Sequence, residues 1–235
     1  MDIFHIAAEC YPVAKVGGLG DVVGALPKYQ DKLSHNVKVV IPCYDAKIIA
    51  ENEFESIYSD IVQLGSFNFP FSIHKKNTNN LGFELYLVQI SELFDRKEMY
   101  GYEDDIERFL SFQIATLNWI NSLSKIPDLI HCHDHHTGLV PFMMQYANKY
   151  EKLRNITSIL TIHNAIYQGQ FSLDKLYYLP EFDLSNLTLL EWDNKINSLA
   201  TGIKCASAVS TVSPNFLNEI NNFGYGLEAL FNTVR

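Results

Sequence analysis

An apolar run, a glycine-rich loop and a helix-like stretch open the chain in that order. The apolar run Ile3–Ala8 predicts a buried strand. Lys15, Gly17 and Gly18 stand in the loop, and apolar residues recur at helical spacing after Gly20. A helix start offers unpaired N–H groups and partial positive charge, glycines let a ligand approach the backbone, and lysine adds a cation. The pattern predicts either a phosphate or diphosphate site or a simple sharp turn.

The spacing of the glycines argues against two familiar phosphate-binding loops. The arrangement Gly18-x-Gly20-x-x-x-Gly24 is one residue longer than the dinucleotide-binding fingerprint, and it begins well beyond the first strand. No G-x-x-x-x-G-K-[ST] sequence occurs, so a Walker-type nucleotide triphosphatase is disfavoured. The long first loop also makes a Rossmann-type dehydrogenase the weaker alternative.

Strands alternate with helices along most of the chain. Further strands are predicted at 37–41, 129–132, 156–162 and 208–212. Two helices are predicted over 137–150 and 195–205, and three more begin after Gly20, at Asp104 and at Pro214. Between Glu53 and Ile90 apolar and polar residues alternate, which predicts an antiparallel insertion with a hairpin across 77–82. The order predicts an α/β fold: one Rossmann-like domain over residues 1–235, with a doubly wound, mostly parallel sheet.

Two helix starts carry local signals. Asp104 is followed three residues later by Glu107, as in a capping box. Ser213 precedes Pro214, which fits an N-cap serine with proline at the first helical position. We therefore expect the side chains of Asp104 and Ser213 to accept hydrogen bonds from backbone N–H groups.

The composition indicates which kinds of partner and which cellular compartment this protein has. The net charge is −9 and no Lys/Arg cluster is visible, which disfavours nucleic acid and anionic membranes. The four cysteines are widely scattered, as expected for reduced thiols, and there is no signal peptide and no run long enough to cross a membrane. These features predict a cytoplasmic protein.

Polar residues gather where the predicted strands end. In a doubly wound sheet, ligands bind at the carboxyl ends of the strands. That rule selects Glu9–Gly20, Cys43–Asp45, His133–Gly138 and His163–Gly169, and three of these four segments are rich in polar side chains. The agreement between topology and polarity predicts a cleft at this edge.

The segment His131–His136 first suggests a metal site, because histidine and aspartate bind zinc and other transition metals. Strand alternation places His131 and His133 on the opposite face from Asp134. The metallo-hydrolase pattern H-x-H-x-D-H would need aspartate at position 135, where this chain has histidine. The sequence therefore favours a strand end that lines a cleft, with His131 or His133 packed in the core, and no metal.

A second polar cluster follows the predicted strand 156–162. His163, Asn164, Tyr167 and Gln168 offer several hydrogen-bonding groups in a short segment, as sugar hydroxyls require. The alternative is that these side chains satisfy loop backbone. Their place at a strand tip favours a binding role.

These residues carry a resemblance to a known family. Lys15-Val16-Gly17-Gly18-Leu19 resembles the K-x-G-G-L loop of bacterial glycogen synthases and plant starch synthases. Five further segments match the family in order: Glu92–Arg96 with Tyr100-Gly101, His131–Asp134 with His136–Gly138, Thr161–Asn164 with Tyr167–Gly169, Thr211–Pro214, and Phe223–Glu228. The resemblance covers essentially the whole chain. It implies the N-terminal half of a two-domain GT-B glycosyltransferase.

The resemblance also implies an activity. Glucose would pass from ADP-glucose to the non-reducing 4-hydroxyl of an α-1,4-glucan, with retention of configuration and with no metal or other cofactor. Lys15 and the amides of Gly17 and Gly18 would neutralise the donor diphosphate. His163 would contact the donor glucose near the reacting carbon.

The remaining site residues are also assigned by resemblance. Asp134 and Asp21 would orient sugar hydroxyls or neighbouring loops, and with Lys15 and His163 they complete the expected catalytic set. The residues expected on the acceptor side are Glu9, Tyr100, His136, Asn164, Tyr167 and Gln168. No carboxylate can be assigned to proton transfer from the acceptor.

The sequence departs from the family in two respects. His135 stands where the family usually has tryptophan, which puts aromatic packing at the cleft in doubt. The second GT-B domain, which in the family supplies most donor contacts, does not lie within these 235 residues. We therefore expect a C-terminal GT-B domain as partner and little activity without it. A non-catalytic glucan-binding module is the alternative, and the choice between ADP- and UDP-glucose stays open.

Overall fold

An eight-stranded sheet forms the centre of the molecule. The computed structural model describes residues 1–45, 47, 49 and 54–233. The strands are β1 (Asp2–Ile6), β2 (Asn36–Pro42), β3 (Phe54–Leu64), β4 (Phe67–Lys76), β5 (Glu84–Ile90), β6 (Leu129–His133), β7 (Thr157–Ile162), β8 (Gln170–Phe171), β9 (Glu191–Trp192), β10 (Lys195–Asn197) and β11 (Ala208–Thr211). The main sheet has the order β11-β7-β6-β1-β2-β5-β4-β3, and β8-β10-β9 form a small separate sheet.

Six neighbouring strands of the main sheet, from β11 to β5, are parallel, whereas β4 pairs antiparallel with both β5 and β3. The register places Ile3 opposite both Val37 and Leu129. The inner strands β1, β2, β5, β6 and β7 are largely buried on both faces, which explains their nearly continuous apolar sequences, whereas the edge strand β11 is partly exposed. The predicted α/β fold with a doubly wound, mostly parallel sheet and an antiparallel insertion is confirmed.

The helices cover the sheet. Their bounds are α1 (Gly18–Lys32), α2 (Asp105–Ser122), α3 (Val140–Tyr146), α4 (Leu187–Leu190), α5 (Ser198–Cys205), α6 (Pro214–Asn222) and α7 (Glu228–Phe231), with short 3-10 segments between several of them. In the described part of the chain, no helix has both the length and the apolar character that a membrane crossing needs. All four cysteines are buried free thiols.

The insertion is more extensive than the sequence predicted. The segment predicted from Glu53, a residue outside the described part, forms two consecutive hairpins rather than one. The hairpin across 77–82 is present between β4 and β5, and β5 then pairs parallel with β2. The insertion thus extends the main sheet instead of standing apart from it.

The helix-start predictions have different outcomes. Ser213 accepts a hydrogen bond from the Phe216 N–H at 3.1 Å, as predicted. Asp104 precedes α2 but makes no side-chain cap, so the predicted capping box is wrong. Its carboxylate instead binds the guanidinium of Arg96 through two contacts of 2.6 Å. A bidentate arginine pair is a stronger interaction than a cap on a neutral N–H group.

Two predicted helices are shorter than expected. Within 137–150 only Val140–Tyr146 is α-helical, flanked by 3-10 segments. Within 195–205 the first three residues are strand β10, which pairs with β8 and β9, and α5 begins at Ser198. Asn197 caps α5 by accepting the Ala200 N–H at 3.0 Å. Helix α1 begins at Gly18, slightly earlier than the sequence indicated.

Candidate functional site

A cleft of about 750 Å³ lies at the carboxyl edge of the parallel strands. Loops after β1, β6 and β7 line it, together with the start of α1 and the segment before α2. The residues predicted for the site that line it are Glu9, Gly17, Gly18, Tyr100, Asp134, His136, His163, Asn164 and Tyr167. The fourth strand-end segment, Cys43–Asp45, does not line it. The cleft therefore lies at the edge of the sheet that topology predicted.

The Glu9 carboxylate fixes the glycine-rich loop. Its Oε2 accepts the N–H groups of Val16 and Gly17 at 2.8 and 2.9 Å. Its Oε1 accepts the hydroxyl of Tyr100 at 2.9 Å. Glu9 is only 4 % exposed, so these bonds replace the water that a buried carboxylate would otherwise need. Glu9 is thus a structural clamp at the base of the cleft, whereas the sequence placed it only on the acceptor side.

The start of α1 presents free backbone donors beside this clamp. The Gly17 N–H is engaged by Glu9. The N–H groups of Gly18 and Leu19 have no hydrogen-bond partner among the described residues, as is usual in the first turn of a helix. A Cβ added to Gly18 would meet no described atom within 4 Å. The backbone here is therefore open to an anion, with Gly18 rather than Gly17 as donor.

Lys15 and Asp21 form an ion pair beside the same loop. The Lys15 Nζ lies 2.7 Å from Asp21 Oδ1, and the two side chains are 40 % and 57 % exposed. Neither residue lines the cleft. Exposed pairs of this kind hold together weakly, so the Lys15 ammonium can change partner at little cost.

Asp134 holds the loop that carries His163. Its Oδ1 accepts the N–H groups of His163 and Asn164 at 2.7 and 3.1 Å. Its backbone has a φ of 58° and a ψ of −175°, a strained combination that residues other than glycine rarely adopt. Burial raises the pKa of Asp134 to about 7, the Glu9 carboxylate acts in the same direction, and the two N–H bonds oppose them.

His163 begins a line of hydrogen-bonded side chains that runs from the cleft into the core. Its Nε2 lies 3.0 Å from His133 Nδ1, and His133 Nε2 lies 3.0 Å from His5 Nδ1. His5 Nε2 lies 2.7 Å from Gln30 Oε1 on α1. Burial lowers the pKa of His163 to about 4, although Glu9 acts in the opposite direction.

The sequence did not single out His5 or Gln30. His5 lies inside the apolar run of β1, where a lone polar residue gives no periodic signal. Pairing of β1 with β6 sets His5 opposite His131, and the sequence alone does not give that register. His133 is fully buried, which agrees with the interpretation that it is packed in the core.

His5, His131 and His133 form the one candidate metal cluster in the described part of the chain, with ring nitrogens within 4.8 Å of one another. The geometry does not fit an ion. The rings of His131 and His133 stack at 4.4 Å with 17° between their planes, so their lone pairs lie side by side and do not converge. The facing nitrogens of His5 and His133 bind each other. A metal would need these rings to reorient.

Aromatic rings form one wall of the cleft. His136 lies 4.9 Å from the Tyr100 ring and 4.5 Å from the Phe109 ring, measured between centroids. His135, which stands where tryptophan was expected, also lines the cleft and lies 3.8 Å from His136. Its imidazole therefore supplies a ring at that place. Buried His136 Nδ1 has no partner among the described residues.

The three residues predicted after His163 differ in their position: two line the cleft, and the third, Gln168, is buried away from it. Tyr167 is 65 % exposed and lines the cleft, and Asn164 lines it while its Oδ1 accepts the Ile166 N–H. Gln168 does not line the main cleft and is buried. Its amide donates to the carbonyls of Ala165 and Tyr225 and accepts from Asn197 at 2.7 Å. Gln168 therefore ties loops together.

Comparison with known proteins gives a consistent result. Residues 2–233 match the family model described as the starch synthase catalytic domain. The chain is similar to a glycogen synthase of Flavobacterium johnsoniae, 63 % identical over 100 % of this chain and 50 % of the relative. It is 38 % identical to a glycogen synthase of Streptococcus pneumoniae over 98 % of this chain and 49 % of the relative.

Among solved structures, the chain resembles the catalytic domain of starch synthase IV from Arabidopsis thaliana bound to ADP and acarbose. The TM-score is 0.86 at 28 % identity, over 99 % of this chain and 49 % of that one. The chain thus spans about half the length of the curated relatives that it matches.

Proposed function

The chain belongs to the starch synthase catalytic domain family, and from this premise we propose that it is the N-terminal half of a retaining glucosyltransferase. Glucose passes from ADP-glucose to the non-reducing 4-hydroxyl of an α-1,4-glucan. The C1–O bond to ADP breaks, a C1–O bond to the acceptor forms on the same face, and the hydroxyl proton is released with ADP. One observation carries the proposal: the Glu9 clamp places free α1 amides in the same cleft as His163.

The donor diphosphate binds at the start of α1. The N–H groups of Gly18 and Leu19 and the helix dipole attract an anion. Lys15 leaves its weak pair with Asp21 and pairs with the diphosphate, so that charge growing on the leaving group is neutralised. The similarity to a structure that holds ADP supports a nucleotide diphosphate as this ligand.

The sugars bind between His163 and the aromatic wall. His163 contacts the donor glucose, while Tyr100, His136, Asn164 and Tyr167 line the acceptor side. Asp134 acts by holding the His163 loop, because its Oδ1 already accepts two backbone N–H groups.

A second GT-B domain is the proposed partner, because the relatives are about twice as long as this chain. It would close the cleft from its exposed side and supply further donor contacts. We also propose that the protein acts in the cytoplasm, where its four free thiols stay reduced, and that transfer needs neither metal nor cofactor.

The test is an assay of the polypeptide that joins this chain to its second domain. With glycogen as acceptor, we expect transfer from ADP-glucose into chain ends that an enzyme specific for α-1,4 bonds releases. A parallel assay with UDP-glucose decides the donor base. If neither donor is used while glycogen still binds, the chain is a glucan-binding module.

A further inference from the structure

A line of hydrogen-bonded side chains, formed by three imidazoles and one amide, connects the cleft to Gln30 near the C-terminal end of α1. The hydrogen bonds run from His163 Nε2 to His133 Nδ1 at 3.0 Å, from His133 Nε2 to His5 Nδ1 at 3.0 Å, and from His5 Nε2 to Gln30 Oε1 at 2.7 Å. Both ring nitrogens of His5 and of His133 are used within this line. The four side chains belong to β1, α1, β6 and the loop after β7, so the tertiary fold creates the line.

All three rings are neutral near pH 7. Burial lowers the pKa of His5 to about 4 and that of His133 well below its usual value, and nearby His131 and His5 lower the His133 pKa further. Burial likewise lowers the pKa of His163 to about 4. A neutral imidazole carries one N–H and one lone pair, so each ring donates at one nitrogen and accepts at the other.

The donor and the acceptor of each hydrogen bond in this line then follow from the Gln30 end. Gln30 Oε1 can only accept, so the proton of His5 is on Nε2 and its Nδ1 is an acceptor. His133 must therefore donate from Nε2 and accept at Nδ1. His163 must in turn donate from Nε2. Its Nδ1 carries no proton.

We propose that Gln30, His5 and His133 are positioning residues that fix His163 as the Nε2–H tautomer, so that its Nδ1 offers the cleft only a hydrogen-bond acceptor. This proposal rests on the proposed function, because the group received at Nδ1 is a hydroxyl of the sugar substrate. A hydroxyl donates to this nitrogen, whereas a carbonyl or phosphate oxygen finds no donor there. The fixed tautomer thereby selects hydroxyl-bearing ligands at this point of the cleft.

The alternative that the line is inert packing predicts no dependence on Gln30. Gln30 is partly exposed on α1, and lysine and methionine are both good helix formers, so changes at this position preserve the fold. Lysine carries only donors, and methionine carries a weak acceptor and no donor. In Gln30→Lys, position 30 donates a hydrogen bond to His5 instead of accepting one, which reverses the direction of the hydrogen bonds in the line. Methionine has no donor, so Gln30→Met leaves their direction unchanged.

The experiment is 15N NMR of this chain with labelled histidine, since the two ring nitrogens of each tautomer resonate differently. The His163 signals are assigned by their loss in His163→Gln. We expect Nε2–H in His5, His133 and His163 of the unaltered chain, with couplings across both imidazole–imidazole hydrogen bonds. In Gln30→Lys we expect His163 to become the Nδ1–H tautomer, and in Gln30→Met we expect it to stay Nε2–H.

An Nδ1–H form of His163 in the unaltered chain would overturn the proposal, as would an Nε2–H form in Gln30→Lys. These spectra need no activity, so a failure of the proposed function leaves them interpretable. In the two-domain polypeptide, the expected effect of Gln30→Lys is a fall of about tenfold in kcat, the loss of one hydrogen bond of about 1.4 kcal/mol, with little change in KM for glycogen. Lys32→Ala, a change on the same helix outside this line, should keep kcat near that of the unaltered enzyme.

Discussion

The carboxylate of Asp134 accepts the backbone N–H of His163 at 2.7 Å, so the aspartate that follows one strand holds the loop that follows the next. Asn164 donates to the same oxygen at 3.1 Å. The position of His163 in the cleft therefore depends on a residue that need not touch substrate.

Two substitutions at Asp134 distinguish its role in holding the His163 loop from a direct role of its negative charge. Asp134→Ala removes the acceptor of two N–H groups, and we expect a loss of about 1–3 kcal/mol in the free energy of unfolding together with a large fall in kcat. Asp134→Asn keeps a carbonyl acceptor on a side chain of nearly the same shape, so it should fold normally and keep most of the activity. Denaturant unfolding and kinetics check both variants. Inactive but stable Asp134→Asn would assign the carboxylate a direct chemical role.

Stability should fall in mild acid because buried histidines stay neutral in the fold. Burial lowers the pKa of His5, His135 and His163 to about 4 and that of His131 to about 3. Unfolding lets these rings take up protons below pH 6.5, so stability is full above that pH and is lost as the pH falls towards 4. Each such histidine contributes a slope of about 1.4 kcal/mol per pH unit.

Urea unfolding at several pH values measures this slope. His131→Gln should reduce this slope by about 1.4 kcal/mol per pH unit, the contribution of one proton. Asp134 acts in the opposite direction: with its pKa raised to about 7, it contributes stability that is lost as the pH rises from about 4 to 7. An unchanged slope in His131→Gln would show that this ring is already charged in the fold.

Two glycines of α1 should respond oppositely to alanine. A Cβ at Gly24 would lie 2.6 Å from the Tyr11 carbonyl oxygen, so Gly24→Ala should cost about 1–3 kcal/mol of stability. A Cβ at Gly18 meets no described atom within 4 Å, so Gly18→Ala should unfold like the parent chain. Gly18 lines the cleft, however, and the added methyl group should raise KM for the nucleotide sugar. An unchanged donor KM would move the diphosphate away from this amide.

Lys15 should matter for turnover and little for folding. Its pair with Asp21 is exposed, so Lys15→Ala should change the free energy of unfolding by less than about 0.5 kcal/mol. Loss of the cation from the diphosphate should lower kcat by about 100-fold or more in the two-domain polypeptide. Lys32→Ala removes a lysine from the last turn of α1, the helix that follows the Lys15 loop, and is the matched control. Turnover near the parent value in Lys15→Ala would remove Lys15 from the mechanism.

The features that could be predicted from the sequence are those that local residue patterns determine. The buried strands are nearly continuous apolar runs such as Val37–Ile41, which Lys38 alone interrupts, and the strand-end rule then located the cleft without any side-chain geometry. The Ser213 cap was readable because serine and proline act within one turn. Site residues chosen by resemblance, such as Tyr100 and His163, line the cleft, although their roles in catalysis stay predictions.

What the sequence missed depends on partners distant in the chain. Asp104 prefers Arg96 to a cap, and Lys195–Asn197 becomes a strand because β8 is available to pair. Gln168 looked like a ligand residue because its contacts with Asn197 and Tyr225 are not visible in sequence. His5 joins the site region only through the pairing of β1 with β6.

The central claim is that this cleft is one half of a glucosyltransferase site. The most direct measurement is glucose transfer from ADP-glucose to glycogen by this chain, alone and mixed with the C-terminal half of the 63 % identical Flavobacterium johnsoniae glycogen synthase supplied as a separate polypeptide. We predict transfer only in the mixture, and loss of that transfer when this chain carries Lys15→Ala. Transfer by the chain alone, or none from halves shown to be folded and associated, would contradict it.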